Sequence, residues 1–205
     1  MSSREERLKL AEEFSEECHD MFGAYLASIA AMDLANKEVV LIQKRKLAQY
    51  RYLGLRAVFE EVKQEPVNHL LERTGSDPQR SMFETTIGAL EQNTAHEGPF
   101  YKLLGRMAVT FLYAIWQDRF RQRFADCAGL PSKEDFTHDL FGDLGKIRNH
   151  CVHGHGVASK QLEKLKVFPW FRDGDEIVIS VERVDCFMLK IRKFCAEFVD
   201  PPASA

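Results

Sequence analysis

The side chains able to do chemistry gather between Asp139 and Gly156, where Arg148, Asn149, His150, Cys151, His153 and His155 fall close together. An arginine offers a rigid fork of donors to two phosphate oxygens and stays charged. A histidine gives or takes a proton near neutral pH. Asn149 can hold an imidazole tautomer or bind a ligand, and it stands four residues before His153, so on a helix the two project side by side. No carboxylate pair and no glycine-rich phosphate loop accompanies them. The set therefore reads as phosphate-handling. A phosphodiester attacked by its own 2′-hydroxyl needs an acid, a base and a cation, and no metal. Two rival chemistries use the same residues. His150, Cys151, His153 and His155 contain zinc-ligand types, but the first three point to different sides of a helix and no second Cys/His cluster exists. Cys151 beside His153 or His155 could act as a nucleophile, but it falls on the face that should pack into the core. The bland alternative is a histidine-rich helix end that caps itself.

The helix that must carry this set has two faces. Leu140, Leu144, Ile147 and Cys151 share the core face. Gly142, Gly145, Asn149, Val152 and His153, then Gly156, line another, with Arg148 at the border. Each helical glycine costs about 1 kcal/mol against alanine, so close approach of another backbone, such as a partner helix, is expected there. His155, seven after Arg148, returns to its side if the helix lasts that long.

Ile147-Arg148-Asn149-His150-Cys151-Val152-His153 resembles the signature of the HEPN families, an arginine, a polar residue and then a histidine near the end of a late helix. Leu140-Phe141-Gly142-Asp143-Leu144 is similar to the run that leads into that motif, as is Trp116-Gln117-Asp118 with Arg121 on the preceding helix. The resemblance covers about Phe100 to Phe198. It implies an all-helical bundle that dimerises through the motif helices, and a metal-independent endoribonuclease acting in toxin–antitoxin or antiviral systems. It implies that Arg148 binds the scissile phosphate, His153 transfers protons, and Asn149 orients that histidine or contacts substrate. His155 also satisfies the spacing. RNA, a second copy of the chain and a cognate antitoxin protein are the implied partners, with no cofactor and no metal. Two other functions stay open: a non-catalytic dimer of this fold that binds nucleotide, RNA or a partner protein, and a structural or adaptor helical protein.

The rest of the chain is read by period. Leu8, Ala11, Ser15, Cys18, Phe22, Tyr25, Ile29 and Met32 make a helical stripe, which fits a long bundle helix or a two-chain coiled coil. Asn36 is expected to end it and Lys37 to start the next helix. Pro66 interrupts that one. Asp77-Pro78 should open a helix that runs to about Gln92. Gly98-Pro99 breaks it, and a buried helix follows from Phe100 to about Ala125. Gly129-Leu130-Pro131 ends that helix. Ser132 with Asp135 reads as the N-cap of the motif helix. Ala158 to Leu165 reads as a short helix. Glu176 to Val181 is β-branched and reads as one arm of a small β-hairpin with Val167-Phe168. Ser180 to Phe198 is a final amphipathic helix. The expectation is an all-α helical bundle with a small β-hairpin after the motif helix and a C-terminal helix. Residues 1–76 form an N-terminal helical extension and 77–205 the HEPN-like domain, unless 1–205 is one domain.

Composition excludes more than it selects. With 28 basic and 31 acidic residues the net charge is −3, so positive potential must be local. Candidates for RNA contact are Lys44, Arg45, Lys46, Arg51 and Arg56, interleaved with Tyr50 and Tyr52, and the Arg119, Arg121 and Arg123 series. Five cysteines without a CxxC pair point to a reducing compartment rather than a disulfide framework. No leader and no membrane-spanning segment is read, so the expected location is cytoplasmic.

Overall fold

Apolar residues at three- and four-residue spacing make long helices. The computed structural model describes residues 3–54, 59–67 and 85–201. The chain divides into two compact units, one of Met1–Ala27 with Lys102–Ala205 and one of Ser28–Tyr101. The boundary expected near residue 76 and the helix start at Asp77-Pro78 lie outside the described residues, as does Arg56.

The first unit is built around aromatic rings. Helix α1 (Arg4–Tyr52) enters it with Leu10, Ala11, Phe14, Cys18 and Tyr25 buried. Phe14 is 0 % exposed and meets the rings of Trp116, Phe120, Phe124, Phe141 and Phe194 at 5.1–6.4 Å. The stripe read from sequence skipped Phe14 for Ser15, which is only half-buried here. The Phe100–Ala125 helix has a more exact form. An α-helix over Pro99–Ala114 passes into a π-helical turn at Ile115–Phe120, then resumes over Arg121–Ala128. The π turn is closed by the Arg121 N–H donating to the Trp116 carbonyl, five residues back. Gly129 ends the run in the left-handed conformation with φ 74°. The C-terminal helix Val181–Val199 is capped by the Ser180 hydroxyl and buries Val184, Phe187, Ile191 and Phe194 along one face.

The second unit is described by its polar ties. Asn36 does not end α1. Its amide donates to the Glu91 carbonyl at 2.9 Å and to the Thr94 hydroxyl at 3.0 Å, so its side chain joins a neighbouring helix and leaves the backbone ladder intact. That helix spans Ile87–Thr94 and is capped by Thr86, whose hydroxyl accepts from the Ala89 N–H at 3.2 Å. Gln43, fully buried, donates to Glu91 at 2.8 Å. Lys46 forms an ion pair with Glu65, which also accepts from the Tyr50 hydroxyl at 2.9 Å.

The chain is all-α among the described residues, but the expected β-hairpin is absent. Glu176 to Ile179 pairs with the rest of the chain through one isolated bridge, Val157 to Glu176. The Ile177 N–H donates to the Gly156 carbonyl at 2.7 Å, and the carbonyls of the segment are taken by side chains instead of a strand. Tyr25 donates to the Ile179 carbonyl, Arg106 to that of Ile177, and Arg183 to that of Val178. The supposed second arm is also engaged elsewhere, because the Val167 and Phe168 N–H groups donate to Asp143. β-Branched Ile177 and Ile179 are fully buried. The composition that reads as a strand here fills a core position in extended chain.

Candidate functional site

The motif helix spans Asp139–His153. It begins at His138 and not at Ser132. The His138 Nδ1 accepts from the Leu140 N–H at 3.3 Å, while Ser132 donates to the Asp135 carboxylate at 2.9 Å outside any helix. The acceptor role of Nδ1 places the proton on Nε2. The His138 ring lies edge-on to Phe194 at 4.9 Å, and this packing lowers its pKa below the ordinary 6.5 against the opposing pull of Asp139 and Glu197. The unfolded chain therefore binds more protons than the native one around and below that value. Stability is full above about pH 6.5 and falls as pH drops through the native pKa. Acidification below about pH 6.5 is therefore expected to cost a modest part of the stability. His138→Asn keeps an acceptor that does not titrate and should flatten the profile, as read from denaturation midpoints. An equal slope in both proteins would exclude His138 as its source.

Asp143 anchors the segment that follows the motif. It is 1 % exposed, and its Oδ2 accepts from the Val167 N–H at 2.6 Å and the Phe168 N–H at 3.4 Å. Lys146 Nζ lies 3.6 Å from its other oxygen. The aspartate in the leading run is thus a brace for the chain beyond the helix.

The glycine face is resolved within one chain. A Cβ on Gly145 would lie 2.8 Å from the Tyr113 ring, so the close approach expected from a partner helix is made by this chain's own tyrosine. A Cβ on Gly142 meets nothing within 4 Å. Gly142→Ala should therefore stabilise by up to about 1 kcal/mol. Gly145→Ala should destabilise by about 1–3 kcal/mol through overpacking. Chemical denaturation of the two variants tests this, and equal effects would contradict it.

The helix ends where two glycines allow it. The Gly154 and Gly156 N–H groups both donate to the His150 carbonyl at 3.1 Å. His155 and Gly156 then take positive φ of 53° and 75°, and the Val157 N–H closes onto the Gly154 carbonyl at 2.9 Å. Two left-handed central residues are the sign of a type I′ turn. A side chain on Gly156 would run into the Arg106 guanidinium, which is held by the Ile177 carbonyl at 3.2 Å and Glu176 at 3.1 Å. His155 is therefore beyond the helix and does not return to the side of Arg148 along it.

The motif side chains separate into free and engaged ones. Asn149 and His153 are exposed and Arg148 is half-buried. Arg148 Nη1 donates to Asn149 Oδ1 at 3.1 Å, so Asn149 is tied to the arginine and not to a histidine. His150 is used on both sides of its ring. Nδ1 donates to the Lys146 carbonyl at 2.9 Å, and Nε2 accepts from the Ser159 hydroxyl at 2.7 Å. Burial pushes the Cys151 thiol up to about 11 despite the nearby Arg106, so it is protonated at neutral pH and a poor nucleophile. Among the described residues no group of three or more His, Cys, Asp or Glu is arranged to hold a metal ion. Arg148 and His153 are five positions apart, about 140° around the helix. One copy therefore points them in different directions.

The neighbouring helix carries an exposed apolar stripe. Tyr113 against Gly145 and Arg106 against Gly156 show that Pro99–Ala114 runs antiparallel beside the motif helix. Along it Leu103, Met107 and Phe111, at four-residue spacing, are 52 %, 42 % and 54 % exposed. Val152 on the motif helix and Val157 in its turn are exposed as well.

The basic candidates are partly neutralised. Arg119 pairs with Glu17 and Arg123 with Glu13, each at 2.5 Å. Lys46 pairs with Glu65. Lys44, Arg45 and Arg51 are exposed on α1 in the second unit. Arg121 donates to the Gln117 side chain at 3.0 Å and to the Glu134 and Phe136 carbonyls. Sequence reasoning missed Arg106, Tyr113, Asp143 and Ser159 as the residues that set the geometry of the motif. Their partners are distant in sequence and leave no periodic signal. No helix among the described residues is long and apolar enough to cross a membrane. Comparisons with protein families, characterised proteins and solved structures find no match.

Proposed function

We propose that the chain is a HEPN-type endoribonuclease acting as a homodimer without metal, in a toxin–antitoxin or antiviral setting. One observation carries the reading. Arg148 with Asn149, and His153, lie over the last turns of a helix flanked by exposed Leu103, Met107 and Phe111. Arg148 and His153 diverge around one helix, so a second copy seated on the apolar stripe supplies the group that one copy lacks. In that cleft arginine holds the phosphate and spreads its charge into two donors. His153 takes the proton of the 2′-hydroxyl as the oxygen attacks phosphorus, and a histidine returns a proton to the leaving 5′-oxygen. The products are a 2′,3′-cyclic phosphate and a 5′-hydroxyl.

The pairing of Arg119 and Arg123 with glutamates favours a second reading. In a chain of net charge −3 it leaves fewer cations to draw RNA in, as suits a binding dimer that does not cut. Incubating the purified, EDTA-treated chain with mixed RNA separates the two. Fragmentation supports the nuclease. RNA or nucleotide binding with intact RNA supports the binding module.

A further inference from the structure

We propose that a cavity beside the first turns of the motif helix binds a small organic anion, a single flat ring bearing a carboxylate or a phosphate. The cavity is half-open to solvent and has a volume of about 630 Å³, within the usual range for small-ligand sites. It belongs to the first unit and lies at Gly142, eleven residues or about 16 Å along the helix from His153. It is thus separate from the motif and independent of the ribonuclease reading.

Its walls are of two kinds. Tyr113, Trp116, Phe136 and Phe141 supply rings, with Trp116 and Phe141 stacked 3.6 Å apart as a rigid pair. Arg121, Lys146 and His138 supply donors. The charges do not cancel. Asp139 is taken by Lys166 at 2.7 Å, and Asp143 is turned to two backbone N–H groups. Arg121 differs from Arg119 and Arg123 on the same stretch. It bonds only neutral oxygens and has no carboxylate partner among the described residues. Lys146 is half-exposed and forms a long ion pair with the Asp143 Oδ1 at 3.6 Å. His138 Nε2–H adds a neutral donor. A guanidinium held by neutral groups at the edge of a cavity is a site for an anion. The π-helical turn gives a second sign. It places Trp116 in the wall and Gln117 on Arg121, and π turns inside α-helices recur at functional sites. Gly142 keeps the space open where any side chain would enter it.

The test is calorimetric titration of the full chain with phenyl phosphate, benzoate and, for opposite charge, benzylamine. One or both anions should bind saturably, the tighter one naming the headgroup, and benzylamine should not. Gly142→Phe places a ring in the cavity, so it should weaken binding by at least about tenfold. Lys146→Met should weaken it several-fold and decides the matter if Gly142→Phe does not fold. Three results would each overturn the proposal: no saturation with either anion, benzylamine binding as tightly, or affinity unchanged in the folded variants.

Discussion

His153→Ala is expected to slow RNA cleavage by about 100-fold or more while leaving the melting temperature unchanged. The side chain is exposed at the last position of its helix, so its removal leaves no void. Proton transfer by a placed imidazole is worth about 10²–10⁴ in rate. Arg148→Ala should cost a comparable factor of about 10²–10³, since it removes the donors that meet the developing charge. Arg148→Lys should recover little, because an ammonium cannot reproduce the fork. The other histidines serve as controls. His155→Ala should keep most of the activity, because His155 sits in a left-handed turn past the helix end. His150→Ala should act through stability, because both ring nitrogens are engaged within the chain. Single-turnover cleavage of a short RNA measures all of these. Full activity in His153→Ala would remove the assigned base.

Phe14→Ala should destabilise the first unit by about 3–5 kcal/mol, the largest stability effect expected of a single substitution here. The ring, carried on α1, is 0 % exposed and touches five other aromatic rings, from the π turn, the helix after it, the motif helix and the C-terminal helix. Its loss combines the transfer cost with a cavity that rigid neighbours cannot close. The stacked Trp116–Phe141 pair rests on it, so the motif helix should loosen at its start. Urea unfolding followed by tryptophan fluorescence gives the value. A change below about 1 kcal/mol would mean that the aromatic cluster is not the centre of the core.

The same contrast explains what the sequence could and could not tell. Helical periodicity names the all-α class and places the C-terminal helix to within a residue, because Ser180 is a local cap and Val184, Phe187, Ile191 and Phe194 repeat at helical spacing. Gly129 ends its helix as read, again for a local reason. The failures come from partners far along the chain. Asn36 looks like a stop until Glu91 and Thr94 take its amide. Glu176 to Ile179 looks like a strand until side chains of Tyr25, Arg106 and Arg183 take its carbonyls. In the candidate site, the residues Arg148, Asn149 and His153 were legible by type and spacing. The tie between Arg148 and Asn149, the double engagement of His150 and the left-handed turn at His155 were not, since each depends on rotamers and on Ser159, Arg106 and Gly156. Arg119, Arg121 and Arg123 read alike in sequence, yet two are neutralised and one faces neutral oxygens at a cavity.

The most direct test of the proposed chemistry is end-group analysis of RNA fragments made by the chain in excess EDTA. The account predicts 2′,3′-cyclic phosphate and 5′-hydroxyl ends, from RNA whose 2′-deoxy counterpart is left uncut. Fragments with 5′-phosphate and 3′-hydroxyl ends, or cleavage that appears only when a divalent cation is restored, would contradict it.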